Sequence, residues 1–491
     1  MKLIYKKSII ILITFIGIFS ASFIAIKINS IINETATIPK QPHLLLITLD
    51  TLRPDHLNIY GYQRDTSSAI SDLAKDSFVF ENAFTVATNS GPSHATILTG
   101  LYPSQHGLMD NGQAINPSIP TLAGILKERG YETAGFVGYH ALNEESGLDK
   151  GFQSFEFIPI ASHDHDEKDS EDDLEGFKAV NTWLMSWVQS DEKPSFFVWM
   201  HVQNIHESYD PPPPYNTLFK KISLPQPLKG FEEEFDVRCA NDLANAWRKG
   251  IFPAHLKEDV IALYDGEIRL VDDQLRKIFA MLKSSGVYDD TVIVILSDHG
   301  EILFELYENG FFKKGPGHTA RYSDAATRIP LIIKPAGVSQ NDSVSRPSSL
   351  VSSIDLAPTI LELLNQKPAP WMSGISLVPL MGRPDSSKPS QKIFIHESPY
   401  GTEFLGLRSK NWKLVIKNDE GIEAKILVDL QNDPDEHRNV FSENSQKGDD
   451  LEKLLKSWKR KNKSVNLSLH REMSEEMREA LKNGGYIREE F

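Results

Sequence analysis

The sequence has a single cysteine and no net positive charge. Of its 491 residues only Cys239 is a cysteine, so no disulfide can form within the chain and a disulfide-stapled scaffold is excluded. Acidic residues outnumber basic ones by 67 to 52, which gives a formal charge of −15 at pH 7. Because proteins that bind nucleic acids carry basic surfaces, we expect no nucleic-acid partner.

Long apolar runs are also missing, with one exception at the N-terminus. Residues 8–26 contain no charged side chain and follow three lysines. This length is enough to span a bilayer, and the lysines favour a cytoplasmic N-terminus. We predict that residues 1–37 are an uncleaved membrane anchor and linker, with the rest of the chain on the extracytoplasmic or periplasmic side. Small residues at 20–22 leave signal cleavage, and therefore secretion, open.

From residue 38 onward, apolar runs alternate with amphipathic helical patterns. The predicted strands are His43–Leu49, Glu132–Val137, Phe196–Val202, Thr291–Leu296, Ile329–Lys334 and Lys392–His396. The predicted helices are Thr121–Arg129, Asp173–Gln189, Asp259–Leu282 and Ile354–Leu364. Continuously apolar strands that alternate with helices predict an α/β fold, with a mostly parallel central sheet sandwiched by helices. We assign residues 38–387 to this domain.

After residue 388 the pattern changes to that of an antiparallel sheet. Two apolar runs at 413–417 and 425–429 flank the turn sequence NDEG, which predicts a hairpin. Residues 450–459 follow as an amphipathic helix. We therefore predict a C-terminal antiparallel subdomain with a packed helix over 388–460, and a charged tail over 461–491.

Two of the predicted strands end in acidic side chains. The strand at 43–49 continues into Asp50, and the strand at 291–296 continues into Asp298 and His299. Open α/β sheets bind ligands at the carboxyl ends of their strands, so these three side chains are expected to meet. Either Asp alone can be explained as a turn or helix cap, but two such strand ends favour a site.

The sequence NSGPSHATILTG at residues 89–100 predicts a short helix with Ser90 at its start. Pro92 suits a first helical turn, and Gly100 suits the end of a helix. A helix N-terminus favours negative charge, so Ser90 is well placed to be an oxygen nucleophile. The alternative is that Ser90 is only a helix cap.

Taken in order, these segments resemble the sulfatase family of the alkaline phosphatase superfamily. The matching segments lie at residues 50–57, 90–94, 98–107, 201–212, 297–301, 317–318, 328–332, 354–359, 374–380 and 427–439. The resemblance covers roughly residues 42–460. It implies an alkaline-phosphatase-like fold and the activity of a sulfuric ester hydrolase.

The resemblance also implies a metal site. It assigns Asp50, Ser90, Asp298 and His299 to one divalent cation, and it leaves Thr51, in a position where many relatives carry Asp, as a candidate ligand. The family favours Ca²⁺, and the mixed oxygen and nitrogen ligands also suit Mg²⁺, Mn²⁺ or Zn²⁺. Such a cation polarises the ester and lowers the pKa of the attacking oxygen.

Histidines complete the implied catalytic set. His206 and His318 are similar to family residues that hold sulfate oxygens and assist the leaving group. The remaining candidates for the site are His94, His201, Lys313, Lys314 and Arg321.

The motif around Ser90 departs from that of the well-studied sulfatases. Those proteins carry Cys or Ser at the first position, which is oxidised to formylglycine, and Arg four residues later. Here His94 replaces the Arg, and Cys239 lies far away, so cysteine-dependent maturation is excluded. Whether Ser90 becomes formylglycine stays open. Relatives with Ser or Thr followed by Pro-Ser-His fit an unmodified hydroxyl nucleophile instead.

Three functions follow, in order of preference. The first is a metal-dependent sulfatase that acts on small-molecule or glycan sulfate esters. The second is a phosphodiester or phosphonate hydrolase, or a transferase of phosphorylated head groups, with unmodified Ser90 as nucleophile. The third is a non-catalytic binding protein, which the retained metal and histidine positions oppose. The sequence leaves the natural substrate and the oligomeric state open.

Overall fold

The computed structural model describes residues 41–159, 174–221, 226–227, 234–238, 240–305, 317–318, 322–338, 345–382 and 392–462. The predicted anchor and charged tail lie outside these residues, as do the candidates Lys313, Lys314 and Arg321. Among the helices in the described ranges, none combines the length and the apolar character needed to cross a membrane.

The secondary-structure elements, numbered in chain order, are given first. The strands are β1 (His43–Leu49), β2 (Phe78–Val79), β3 (Asn82–Phe84), β4 (Glu132–Val137), β5 (Ser154–Phe157), β6 (Phe196–Val202), β7 (Gln226–Pro227), β8 (Glu234–Phe235), β9 (Thr291–Leu296), β10 (Arg328–Ile329), β11 (Leu331–Lys334), β12 (Leu350–Ser352), β13 (Lys392–Glu397), β14 (Glu403–Ser409), β15 (Trp412–Asp419) and β16 (Ile422–Asp429). The helices are α1 (Ser68–Ala74), α2 (Ser90–Thr99), α3 (Pro103–His106), α4 (Leu122–Glu128), α5 (Glu175–Gln189), α6 (Ala240–Arg248), α7 (Lys257–Ser284), α8 (Asp324–Thr327), α9 (Leu356–Leu363), α10 (Val378–Gly382) and α11 (Ser445–Lys461).

A seven-stranded sheet with the order β2-β11-β9-β1-β6-β4-β5 forms the centre of the fold. Its middle strand β1 pairs in parallel with β6 on one side and with β9 on the other. Strands β4 and β5 continue the parallel arrangement, and only β11 and β2 run antiparallel. The predicted mostly parallel α/β sheet is confirmed.

Both faces of this sheet are buried. Alternate residues of β1 point to opposite sides, so Leu45 and Ile47 pack in one apolar cluster and Leu44 and Leu46 pack in the other. The long helix α7 covers the first face, and α4 and α9 cover the second. This two-sided burial explains why β1 reads as an uninterrupted apolar run.

One predicted strand is wrong. The expected single strand Ile329–Lys334 is divided at Pro330 into β10, which pairs with β3 in a small separate sheet, and β11, which joins the central sheet. Proline has no N–H to donate to a strand ladder, so the chain leaves one sheet and enters the other at that residue. The predicted C-terminal helix 450–459 begins five residues too late, since the observed helix is Ser445–Lys461. The other predicted strands and helices begin and end within about three residues of the observed ones.

The C-terminal sheet is an antiparallel meander of β13, β14, β15 and β16. The predicted hairpin joins β15 to β16 through Glu420 and Gly421, which both have positive φ angles as tight hairpin turns require. Helix α11 packs on the sheet through the fully buried Leu455. The predicted antiparallel sheet with a packed helix is confirmed.

Candidate metal and nucleophile centre

The carboxyl ends of β1, β6 and β9 bring the predicted site residues together. Asp50 follows β1, and Asp298 and His299 follow the adjacent β9. Ser90, the first residue of α2, reaches the same point, where its Oγ lies 3.2 Å from His299 Nε2. All four residues are fully buried. The expected meeting of strand-end acids with Ser90 is therefore present in the fold.

The ring of His299 has a defined orientation. Its Nδ1 lies 3.1 Å from the carbonyl oxygen of Gly300, and because a carbonyl can only accept, Nδ1 carries the proton. The lone pair of Nε2 therefore faces the cluster. Asp298 Oδ2 lies 3.3 Å from this nitrogen and Asp50 Oδ1 lies 3.8 Å from it.

These facing atoms fit a divalent cation. Neither oxygen of Asp50 accepts a well-formed hydrogen bond, nor does Asp298 Oδ2, although all are buried. Lone pairs that converge without a proton between them repel one another, and buried oxygens without donors are costly. A cation held by Asp50, Asp298 and His299, with the Ser90 hydroxyl at its edge, would satisfy every one of these atoms.

The two carboxylates differ in pKa. Burial opposes ionisation of Asp50, but the neighbouring His201, His206 and His299 lower its pKa below the usual range. Burial and the charge of Asp50 raise the pKa of Asp298. Without a cation, the pair therefore favours one ionised and one protonated acid, and a divalent cation would favour ionisation of both.

His94, His201 and Asp298 form a second close group, but the hydrogen-bond pattern makes it a poor metal site. The Nδ1 of His94 donates to the carbonyl oxygen of Ser90 at 2.8 Å, and its Nε2 lies 3.0 Å from Thr48 Oγ1. Both ring nitrogens are thus engaged by the scaffold. Burial lowers the pKa of His94 well below its usual value, so this ring is neutral.

Thr48 connects His94 to the sheet. Its hydroxyl accepts a hydrogen bond from Trp199 Nε1 at 3.1 Å and donates to the lone pair of His94 Nε2. The chain Trp199–Thr48–His94 therefore ends on the backbone of Ser90. His94, predicted as a catalytic residue, lies where it can hold Ser90 in place rather than touch a substrate.

His201 faces the other carboxylate. Its Nδ1 accepts from the backbone N–H of Gly138 at 3.3 Å, so the proton of the neutral ring is on Nε2. That nitrogen lies 3.5 Å from Asp50 Oδ2. His201 therefore presents an N–H to Asp50, which suits a residue that orients a metal ligand rather than a ligand.

His206 and His318 lie beside this cluster. The His318 ring stacks on His299 with centroids 4.3 Å apart, and its centroid is 5.1 Å from that of His206. Burial lowers the pKa of His206, but the charges of Asp50, Glu207 and Glu301 outweigh it and raise the pKa. Burial and the charges of His299 and His206 lower the pKa of His318 well below its usual value. The environment therefore favours the cationic form of His206 and the neutral form of His318.

Thr51 is turned away from the metal candidates. Its hydroxyl donates to the carbonyl oxygen of Ile205 at 3.0 Å, and its backbone N–H donates to Asp298 Oδ1. Its φ of 56° places it in the left-handed region. Thr51 therefore orients the loop and Asp298, while its side-chain oxygen is engaged elsewhere.

The sequence analysis missed several residues that hold the Ser90 loop. Glu397, at the end of β13, accepts from the backbone N–H and the hydroxyl of Thr88, two residues before Ser90. Asn111 accepts from the N–H of Gly91 at 2.8 Å. The signal for Glu397 was available, since it is a third strand-end acid, but the predicted strand stopped one residue early.

Fold and site together define an alkaline-phosphatase-like α/β protein. Two solved structures share the fold at a TM-score of 0.69: a protein in complex with its substrate D-glucosamine-2-N,6-O-disulfate (20% identical, 87% of this chain, 99% of that one) and the phosphonate monoester hydrolase of Agrobacterium radiobacter (19%, 86% and 96%). The sulfatase family model matches residues 42–366, and a model of the C-terminal region of N-sulphoglucosamine sulphohydrolase matches residues 308–464. The chain belongs to the sulfatase family, and its assignment to the sulfuric ester hydrolases is confirmed.

Similar proteins carry related names. The N-acetylglucosamine-6-O-sulfatase of Bacteroides thetaiotaomicron is 23% identical over 89% of this chain and 90% of its own length. Arylsulfatase K of Xenopus laevis is 25% identical over 79% of this chain and 77% of its own length. The family generally binds a divalent metal, and the described residues contain candidate ligands for one.

Proposed function

We propose that this protein is a metal-dependent sulfatase that removes sulfate from sulfated carbohydrates. The observation that carries the proposal is the convergence of Asp50, Asp298 and His299 on one point beside Ser90 Oγ. The carbohydrate substrate is suggested by the N-acetylglucosamine-6-O-sulfatase relative and by the structural neighbour bound to a glucosamine disulfate.

In this mechanism Ser90, or the formylglycine derived from it, supplies the attacking oxygen. The lone pair of His299 Nε2 lies 3.2 Å from Ser90 Oγ, and the dipole of α2 favours negative charge on that oxygen. A bound divalent cation would polarise the ester and lower the pKa of the nucleophile. His94 holds the Ser90 carbonyl, so the nucleophile is fixed before substrate arrives.

His206 and His318 are assigned to the sulfate oxygens and the leaving group. The raised pKa of His206 favours its protonated form, which is suited to bind an anionic sulfate or donate a proton to the departing alcohol oxygen. The neutral His318 can still donate one hydrogen bond without adding charge.

A second candidate function is the hydrolysis of phosphonate or phosphodiester bonds by unmodified Ser90. It is favoured by the neutral His94 in the position of the motif arginine and by the phosphonate monoester hydrolase neighbour. An unmodified serine would form a covalent ester on Oγ, which water must then hydrolyse.

We also propose that the catalytic domain acts on the extracytoplasmic or periplasmic side of a membrane. The support is the sequence of the N-terminal 37 residues, with three lysines before an uncharged apolar run. Labelling of a cysteine introduced at an exposed position of the catalytic domain, by a thiol reagent that does not cross membranes, in intact cells against lysed cells tests this orientation. Labelling of the catalytic domain only after lysis would contradict it.

The deciding experiment combines mass spectrometry with a turnover assay. The Ser90 peptide from protein made in its native host is weighed, since formylglycine is about 2 Da lighter than serine. Release of sulfate from a panel of sulfated sugars and aryl sulfates is then measured with and without divalent metal, with Ser90→Ala as the control. Sulfate release that needs both Ser90 and metal supports the proposal. Turnover of phosphonates alone, with unmodified Ser90, would replace it with the second candidate.

A further inference from the structure

A cleft separate from the Ser90 centre lies between the α4 region and the segment 367–371. Its volume is about 650 Å³, within the range of small-molecule binding sites. Trp371 stands at its rim with 37% of its surface exposed. Arg129, Lys150 and Lys367 line it together with one acid, Glu128.

The walls of this cleft are rigid. Four prolines form part of its lining: Pro117, Pro120, Pro368 and Pro370. Proline fixes φ, so these stretches have little freedom to lose when a ligand binds. Ser118 is further held by Asn116 Oδ1, which accepts from both its N–H and its hydroxyl.

The cleft is anchored to the catalytic helix but lies at its far end. The N–H of Ser373 donates to the carbonyl oxygen of Gly100 at 2.8 Å, and that of Gly374 donates to it at 3.2 Å. Gly100 ends α2, the ten-residue helix that begins at Ser90. Since such a helix is about 15 Å long, a ligand in the cleft would not occupy the Ser90 centre.

The charge of the cleft contrasts with the rest of the surface. The chain carries a net charge of −15, yet three of the four charged residues that line the cleft are basic. Some exposed lysines pair with neighbouring acids, as Lys75 does with Asp72 at 2.7 Å. Lys367 has no such ion pair among the described residues. Arg129 contacts Gln366 through one nitrogen, which leaves most of its exposed guanidinium N–H groups for an anion.

We propose that this cleft is a secondary binding site for a sulfated carbohydrate chain. The indole face of Trp371 suits the apolar face of a sugar ring, and the guanidinium of Arg129 and ammonium of Lys367 suit sulfate groups. The site would hold a polymeric substrate while another part of it reaches Ser90, which raises the effective concentration there. The choice of ligand rests on the proposed function; the cleft itself does not.

The test measures binding apart from turnover. Ser90→Ala protein is titrated calorimetrically with a sulfated hexasaccharide and with its desulfated counterpart. We expect two binding events per chain with the sulfated sugar, and loss or at least fivefold weakening of one of them when Trp371→Ala or Lys367→Ala is added. Leu218→Ala and Lys453→Ala are the matched controls, because Leu218 is 47% exposed and the Lys453 side chain is 75% exposed.

The outcomes separate this proposal from the proposed function. With Ser90 intact, Lys367→Ala should raise KM for the sulfated chain and leave turnover of a small aryl sulfate unchanged. If no sulfate ester is hydrolysed at all, the titration still reports on the cleft. Equal binding by the variants and their parent, or equal binding of the desulfated sugar, would overturn the proposal.

Discussion

This protein has two clusters of buried carboxylates, and the charged groups that surround the two clusters differ. Asp324 and Glu436 lie where the C-terminal sheet meets the catalytic domain, and Lys413 Nζ reaches an oxygen of each at 2.5 Å. Arg408 adds a second cation, 2.7 Å from Asp324 Oδ2. Although burial opposes it, these cations lower the pKa of Asp324. In this cluster, side chains of the protein itself provide the positive charge beside the buried carboxylates.

Among the described residues, the cluster at Asp50 and Asp298 has no lysine or arginine partner. Its neighbours are histidines, of which His299 presents a lone pair and His201 an N–H. Lys413 therefore lies between one pair of acids, whereas the described neighbours of the other pair are histidines. This difference makes the second cluster a candidate site for a metal ion, because two buried carboxylates need a nearby positive charge.

The largest expected effect comes from Asp298→Asn. The amide keeps the Oδ1 acceptor used by the N–H of His299 at 2.8 Å, and it turns an NH₂ toward Asp50. We expect metal content to fall to background and kcat to fall at least a thousandfold. The metal-free variant should nevertheless gain on the order of 1 kcal/mol in unfolding free energy, because the repulsion with Asp50 is removed.

Metal analysis, turnover and urea unfolding in a chelator check the three parts of this prediction. Asp450→Asn, at an exposed acid, is the control and should change none of them. Full metal occupancy in Asp298→Asn would contradict the assignment of the cluster.

At the cluster of Asp324 and Glu436, we expect a substitution to lower the unfolding free energy instead of raising it. Lys413→Met keeps the length of the side chain and removes the charge from a residue that is 1% exposed. Asp324 and Glu436 would then be left buried without this cation, which costs about 3–5 kcal/mol in unfolding free energy. Urea unfolding measures the loss, and Glu436→Gln added to Lys413→Met should restore part of it. Lys453→Met is the exposed control, and an equal effect there would contradict the comparison.

The contrast also shows what a sequence can reveal. Asp50, Asp298 and His299 were predictable because the end of an apolar run marks the end of a strand. The carboxyl ends of parallel strands lie at the same edge of the sheet, so residues that follow two such strands are expected to meet. The helix-start pattern at residues 89–100 added Ser90, the family resemblance added His206 and His318, and the structure places all three beside the cluster. The central sheet was predictable for the same reason, since buried parallel strands are continuously apolar.

The sequence does not show which ring nitrogen of each histidine carries the proton, nor which residues far apart in the chain are in contact. Nothing in the pattern around His94 indicates that Thr48 contacts its ring, because that contact joins α2 to the carboxyl end of β1, more than forty positions earlier in the chain. Glu397 reaches Thr88 across 309 positions, from a different sheet. Strands β10 and β11 are separated at Pro330, and the apolar pattern alone does not show that they pair in two different sheets.

A smaller loss of kcat is expected when the hydrogen bonds that hold His94, and through it Ser90, are weakened. Thr48→Val removes the hydroxyl between Trp199 and His94, so a buried indole N–H loses its acceptor and the His94 ring loses its donor. We expect kcat to fall about tenfold, equivalent to about 1.4 kcal/mol, with a smaller change in KM. Thr48→Ser keeps the hydroxyl and should restore kcat. A Ser variant as slow as the Val variant would show that packing, and not the hydrogen bond, is at work.

A pH-dependent effect is expected from a buried acid whose printed partners are backbone N–H groups. Asp355 accepts from the backbone N–H groups of Ser352 and Ile375, and burial raises its pKa to about 6. Between the unfolded value of about 4 and this value, the folded protein binds the proton more tightly than the unfolded chain does. The contribution of Asp355 to stability is therefore greatest below pH 4 and is lost as pH rises through 6, at about 1 kcal/mol per pH unit.

Urea unfolding from pH 2 to 8 isolates the contribution of Asp355 as the difference between the parent and Asp355→Asn. We expect that difference to fall as pH rises to about 6 and to be flat above pH 7. Glu403 provides a control of opposite sign, because its hydrogen bond with His396 and its contact with Lys459 lower its pKa to about 2. Stability from Glu403 is present above its unfolded value and is lost as pH falls toward 2, so Glu403→Gln should flatten the acid side instead. Parallel curves for the parent and Asp355→Asn would mean that the backbone donors alone stabilise this carboxylate, as Lys413 does for Asp324.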